Sequence, residues 1–328
     1  MLVLTRADLE TLLTPADVID ALADAFAQHA ARRTQVPPRS AMPVGDDGFL
    51  FLMPAAISAA DPAGGALGAK LVTFYAGNRT LGHPSVYGTY VLMDRQTGQA
   101  LALLEGTYLT AMRTGAASAL AARYLARPDA RRVACFGAGV QAEFQLRALA
   151  AVRPIREVVV IGRDPSRARA FAKRMAERLG ILVEVTDAPA DAVKRADLVT
   201  CATTSATPVV HGVDLTPGVH VDLVGAFNPK MREVDSAAVR RARVVVDSYA
   251  GAFEEAGDIL IPMTEGVIDR SHVAAELSEL VTDPKRGRTR EDQVTLFKSV
   301  GFALEDLAAA TLAYRRARAG NVGTVVPW

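Results

Sequence analysis

The segment RVACFGAGVQAEFQLRAL limits what this chain can fold into more than any other. Its apolar run, Val133 to Phe136, stops at Gly137-Ala138-Gly139, and a helix-like pattern resumes from Val140. The first glycine allows a sharp strand-to-helix turn, the second lets backbone come close to an anion, and the small Ala142 lets the helix sit tightly on the strand. The new helix then points its unpaired N–H groups and the positive end of its dipole at that anion. Gly137, Ala138, Gly139, Val140 and Gln141 are therefore the expected lining of a dinucleotide pyrophosphate site. The same glycines would also serve a plain turn. A second buried-strand run, EVVVIG from Glu157 to Gly162, follows at the distance a βαβ unit needs and favours the cofactor reading.

That alternation continues. A helix from Ser166 to Leu179, a strand at ILVEV, a helix near Asp187 to Arg195, and strands at LVTCAT, HVDLVGA and RVVVDS predict a six-stranded, doubly wound parallel sheet of the Rossmann type. Upstream, PADVIDALADAFAQHAAR has apolar residues at helical spacing behind a first-turn proline. From Phe49 to Leu104 short β-rich runs alternate with turn residues, and AAISAADPAGG, 55 to 65, reads as a turn-rich loop. A small-residue helix, TYLTAMRTGAASALAARYLAR, leads into the glycine-rich strand, and a last long helix is predicted near Leu296 to Arg318. The expected fold class is α/β: a Rossmann domain over 119–298 and a discontinuous α+β domain made of 1–118 and a returning C-terminal segment, 299–328.

With 328 residues, half of them hydrophobic, the chain can bury two cores. Its 37 basic and 36 acidic residues leave a net charge of +1, so no strong field favours nucleic acid or an anionic membrane. No apolar stretch reaches the roughly 20 residues of a membrane span, and MLVLTRADLE lacks the pattern of a signal peptide. A cytoplasmic location is expected. Cys135 and Cys201 fall in predicted strands without metal-ligand spacing and are expected to be small buried hydrophobes. His83, His211 and His220 lack such spacing too, and no metal site is expected.

In NAD-specific folds an acid at the end of the second strand grips the ribose hydroxyls. Here the strand ends Gly162-Arg163-Asp164-Pro165-Ser166-Arg167. Arg163 and Arg167 would bracket a 2′-phosphate with help from Ser166, which favours NADPH; NADH remains the alternative if Asp164 turns inward. In the segment CATTS, Thr203 and Thr204 follow a strand on the cleft side of the sheet, Val224 and Gly225 close the next predicted strand, and all four are expected at the cofactor.

Three basic residues stand out in the first domain: Arg39, Lys70 and Arg113. Lys70 lies in an apolar strand and Arg113 in a helix of small residues, where an unpaired charge is costly to bury. Each needs an anion, either a substrate carboxylate or a structural one such as Glu105.

Together with these residues, MPA at 53–55, GAKLVTFYAGN, HPSVYGTYVLMDRQTGQALALLEGTYLTAMRTGAASALAARYLA, FGAGVQAEFQLRAL, CATTSATPVV and GVHVDLVGAFNPKMREVD make the chain resemble the ornithine cyclodeaminase and mu-crystallin superfamily over nearly its whole length. The resemblance implies a homodimer. It also implies that Arg39, Lys70 and Arg113 bind the carboxylate of an amino or imino acid, with Met53 nearby and Ser85 passing a proton. Two departures mark the branch. Cyclodeaminases carry an aspartate where this chain has Phe227, and a glutamate near the MPA segment where it reads Phe51-Leu52-Met53. Without the aspartate no water or ammonia is activated at an imine, and without the glutamate the substrate amine has no carboxylate to hold it. A preformed cyclic ketimine needs neither, only a fixed carboxylate, a proton on nitrogen and hydride at carbon, and Phe227 would cover its ring. The version found here is similar to the reductases that convert Δ1-pyrroline-2-carboxylate and Δ1-piperideine-2-carboxylate to proline and pipecolate. The alternatives are a cyclodeaminase or alanine-type dehydrogenase with displaced acid–base chemistry, and a non-enzymatic NADPH-binding protein.

Overall fold

Alternation of buried and exposed side chains along paired strands organises the first half of the computed structural model, which describes residues 1–46, 48–58 and 65–327. The chain divides into two units, one of Met1–Arg113 plus the segment from Phe302 onward, the other of Thr114–Gly301.

In the first unit, β1 (Leu2–Leu4) leads to helices α1 (Arg6–Leu12) and α2 (Pro15–Ala30). Thr14 caps α2, Pro15 opens it, and Val18, Ile19, Leu22 and Phe26 are buried on one face. The sheet follows: β2 (Thr34–Gln35), β3 (Ser40–Val44), β4 (Gly48–Ile57), β5 (Ala66–Tyr75), β6 (Val86–Met93) and β7 (Ala100–Glu105). β4 to β7 form an antiparallel meander, and β1 adds to β7 in parallel, making the sheet mixed. Ala55–Ile57, expected in a loop, belong to β4, whereas 59–64 of that loop lie outside the described residues.

Register places Met53, Lys70, Tyr90, Leu104 and Leu4 in one row across five strands, and all five are buried. The helix Ala303–Gly320 lies on β4, β5 and β6 and against α2. It starts at Ala303 and not at Leu296, and Thr324–Val325 beyond it pairs with β1. Thr295–Lys298 is instead a fully buried strand, separated from the helix by Gly301 at φ +91°.

α3 (Gly106–Leu125) contains the division between the units, after Arg113. In the second unit all strands run parallel: β8 (Arg132–Phe136), β9 (Glu157–Ile161), β10 (Leu182–Val185), β11 (Leu198–Cys201), β12 (His220–Leu223), β13 (Arg243–Val246), β14 (Val273–Glu276) and β15 (Thr295–Lys298). Their order is β10-β9-β8-β11-β12-β15-β13-β14. The sheet thus has eight strands where six are expected, with β15 wedged between β12 and β13 and β14 at the edge. Helices α4 (Val140–Val152) and α5 (Pro165–Leu179) connect the first strands. Separate apolar clusters fill the core, one around Leu146, Phe171 and Val158, another around Val221, Val239 and Leu296. Strand order reverses between β8 and β11, the position where doubly wound sheets bind ligands beyond the strand C-termini.

Candidate functional site

Three turns meet at that reversal, after β8, β11 and β12. Gly137 has φ +114°, and a Cβ there would stand 2.7 Å from the carbonyl oxygen of Ala202. Only glycine fits such a turn without strain. Gly139 is the N-cap of α4, has no side-chain cap and faces open space. The first N–H groups of α4 thus lie beside a glycine that lets an anion approach, which fits a pyrophosphate. Val140 is exposed and Gln141 half-buried at the same helix start, with Ala138 between the two glycines.

At the end of β9, Asp164 caps α5, accepting from the Ser166 N–H at 2.9 Å, the Ser166 hydroxyl at 2.7 Å and the Arg167 N–H at 3.1 Å. The hydroxyl expected to serve a 2′-phosphate therefore donates to Asp164. The hydrogen bonds from Ser166 and Arg167 hold the Asp164 carboxyl below the usual carboxylate range. Arg163 and Arg167 are exposed beside it.

After β11 and β12 the backbone is held by one buried carboxylate. Glu233 accepts from the Thr203 N–H and hydroxyl at 2.7 and 2.8 Å through Oε1, and from the Gly225 and Ala226 N–H groups at 2.7 and 3.3 Å through Oε2. Thr204 and Val224 flank these anchors, and Phe227, 37 % exposed, follows them. Burial pushes the Glu233 carboxyl up to about 7, with Lys298 pulling it down and Asp258 raising it.

The first unit holds a second constellation. Lys70 donates to Asp306 Oδ2 at 2.8 Å; Arg113 donates from Nε to Asp306 Oδ1 at 3.0 Å and from Nη1 to Glu305 Oε2 at 2.6 Å. All four are buried. The anions that Lys70 and Arg113 need are thus supplied by the first turn of the C-terminal helix. Glu105 instead caps the start of α3, accepting from the N–H groups of Thr107 and Tyr108. Burial and the neighbouring Arg113 lower the Lys70 ammonium to about 8 despite Asp306. Burial opposes the charge of Arg113, but Asp306 and Glu305 outweigh it and raise its pKa. Two cations and two carboxylates leave the quartet neutral.

Met53 faces Lys70 in register and is buried. Arg39 stacks 5.2 Å from the ring centre of Phe51, two residues along β4 from Met53. Ser85 lies away from the quartet, its carbonyl accepting from the Tyr75 N–H at the far end of the β5–β6 ladder. Cys135 and Cys201 are free thiols in buried strands. Glu305, Asp306 and Glu233 are candidate functional residues that do not stand out in the sequence. For the first two a signal exists: an acidic pair inside the otherwise apolar FALEDLAAATLA.

The model of the ornithine cyclodeaminase/mu-crystallin family matches residues 1–321. A Δ1-pyrroline-2-carboxylate reductase of Bacillus cereus is 37 % identical, covering 99 % of both chains. An alanine dehydrogenase of Archaeoglobus fulgidus is 34 % identical over 99 % of this chain and 98 % of its own. Among solved structures, Δ1-pyrroline-2-carboxylate reductase of Thermococcus litoralis, in complex with NADH and L-proline, superposes with a TM-score of 0.95 at 43 % identity, covering 99 % of this chain and all of the other. The glycine turn at the strand reversal, the full-length match and the shared fold together establish that this chain belongs to the ornithine cyclodeaminase/mu-crystallin family.

Proposed function

We propose that the protein is a cyclic ketimine reductase that converts Δ1-pyrroline-2-carboxylate to L-proline and Δ1-piperideine-2-carboxylate to L-pipecolate, with NADPH as the preferred reductant. It is an NAD(P)H-dependent oxidoreductase acting on a C=N bond, in line with its reductase relatives. The observation that carries the ketimine reading is Phe227. The turn after β12 presents an aromatic ring there, and the acids that hold the turn from beneath, Glu233 and Asp258, are wholly buried and committed to backbone N–H groups. No carboxylate of that turn is available to activate water or ammonia.

The chain's own groups fit the remaining chemistry. The Gly137–Gly139 turn and the start of α4 would hold the pyrophosphate, and Arg163 and Arg167 the 2′-phosphate. When bound, the reduced nicotinamide supplies the hydride. Arg113 and Lys70 orient the substrate carboxylate, a positioning effect able to supply much of the rate. Lys70, more acidic than a free lysine, is a better proton source for the imine nitrogen than Ser85, a residue at the far end of the ladder.

The exposed face of the first sheet supports a homodimer. Met42, Leu52, Leu71 and Tyr87 share that face and are 55, 41, 39 and 48 % exposed. Large apolar side chains that share one exposed sheet face are what contact with a second copy would cover. Among the described residues no helix is long and apolar enough to cross a membrane. A cytoplasmic location is part of the proposal, in keeping with a small-molecule reductase that draws on reduced nicotinamide.

A second reading, an alanine-type dehydrogenase, is favoured by the full-length similarity to the Archaeoglobus fulgidus enzyme. Steady-state assays with reduced cofactor and either Δ1-pyrroline-2-carboxylate or pyruvate plus ammonia separate the two. Turnover with the imine alone supports the ketimine reading; turnover only with pyruvate and ammonia replaces it.

A further inference from the structure

The turns after β11 and β12 are tied together from beneath. Glu233 is wholly buried, and each of its carboxylate oxygens accepts two donors, one pair from Thr203 and one from Gly225 and Ala226. The carboxylate is itself held in place: Asp258 accepts from the N–H groups of Glu233 and Val234 at 2.7 and 3.2 Å. Lys298, at the end of β15, stands 2.9 Å from Asp258 and donates to the Ala226 carbonyl at 2.5 Å. Lys298 and Asp258 are wholly buried as well. The loop that carries Phe227 is also packed from below, since a Cβ on Gly257 would collide with the carbonyl of Met231 and stand 2.9 Å from that of Asn228. Gly225 approaches Thr203 so closely that a Cβ would collide with the Thr203 carbonyl and with Glu233 itself.

A hydrophobic core would hold two such turns at lower cost, because three buried charges and eight directed contacts carry a large desolvation penalty. What the array provides is fixed orientation of backbone. Both turns lie on the strand edge assigned above to the cofactor, on the side of the glycine turn away from β9 and its Arg163 and Arg167.

We infer that Glu233 is a positioning residue for the nicotinamide half of the cofactor: by clamping Thr203 to Gly225 and Ala226 it sets the shape of the surface on which that half rests, and it leaves the adenosine half untouched. The inference rests on the cofactor reading of this edge. Glu233→Gln is the isosteric test. It keeps an acceptor for Thr203 but turns an NH2 group against the N–H groups of Gly225 and Ala226, where only an acceptor fits.

Titrate the full-length wild type and Glu233→Gln with whichever of NADH and NADPH the wild type binds more tightly, and separately with ADP or adenosine 2′,5′-bisphosphate. The expected result is a loss of dinucleotide affinity of about tenfold or more, as for a lost hydrogen bond to a charged group, with affinity for the adenosine ligand changed less than about twofold. A merely structural role would weaken both together, and that result overturns the inference, as does unchanged binding of both. If Glu233→Gln does not give folded protein, Glu233→Asp decides. It keeps the charge but is too short to reach both turns, and the same split is expected; equal loss or no loss overturns the inference. Failure of the wild type to bind any of these ligands instead refutes the cofactor reading on which the inference stands.

Discussion

Lys70 and Asp306, 236 residues apart in sequence, meet in a buried ion pair of 2.8 Å. Asp306 also binds Arg113, so one carboxylate fixes both cations proposed to hold the substrate. Removing it leaves Lys70 without its anion while Arg113 keeps Glu305. Loss of one partner from a buried pair costs about 3–5 kcal/mol. Asp306→Asn is expected to lose stability of that order in denaturant titrations and to lose most of its turnover. A change of a few tenths of a kcal/mol would mean that Lys70 finds another anion.

The acidity of Lys70 has a pH signature. Its pKa lies near 8 in the fold, below the ordinary 10.5, because burial and Arg113 disfavour the charge. Between those two values the unfolded chain holds a proton that the native one has released, so this group makes folding more favourable as pH rises through that window. Catalysis has the opposite sign. If Lys70 gives its proton to the imine, the reduction rate falls as pH rises through about 8. The pH profile of kcat in the reductive direction should bend there, and Lys70→Met should lose turnover by about a hundredfold or more, the scale of general acid catalysis, along with the bend. A bend that survives in Lys70→Met belongs to another group.

Cofactor preference is testable at Arg163 and Arg167, both exposed beside the capped start of α5. The double variant with alanine at both is expected to weaken NADPH by about tenfold to a hundredfold, the worth of charge-assisted hydrogen bonds to phosphate, and to leave NADH nearly unchanged. Equal weakening of both cofactors, or none, would remove the pair from the 2′-phosphate site.

Leu71 lies on the exposed apolar face of β5, opposite Leu52. Leu71→Asp places a charge in the centre of the proposed dimer interface and should shift the sedimenting species to half its mass. A monomeric wild type, or a variant that remains dimeric, would show that this face is not the interface.

Much of the second unit is legible in the sequence, because strands buried on both faces read as continuous apolar runs and the glycines between them have one geometric use. β14 and β15 are the exceptions: Val273–Glu276, a short strand at the edge of the sheet, carries no long apolar run. Thr295–Lys298 carries a lysine and runs into an apolar helix with only a short break at Gly301, so its residues blend into the helical pattern although they form an inner strand. In the first unit Lys70 and Arg113 stand out as charges in apolar settings, and the need for anions follows from physics alone. Their partners do not stand out, because acids in the first turn of a helix ordinarily face solvent and favour the helix dipole. Only the packing of the C-terminal helix on β4 to β6 turns Glu305 and Asp306 inward. Glu233 is hidden for the same reason: its four donors come from two turns that are distant in sequence and adjacent only in the sheet.

Reduced-nicotinamide absorbance, followed after Δ1-pyrroline-2-carboxylate is added to enzyme and NADPH with product analysis of the same mixture, decides whether the protein is a ketimine reductase. Cofactor oxidation matched mole for mole by L-proline, without added ammonia, is the expected result. No oxidation with the imine, together with ammonia release from ornithine or oxidation only with pyruvate and ammonia, would contradict it.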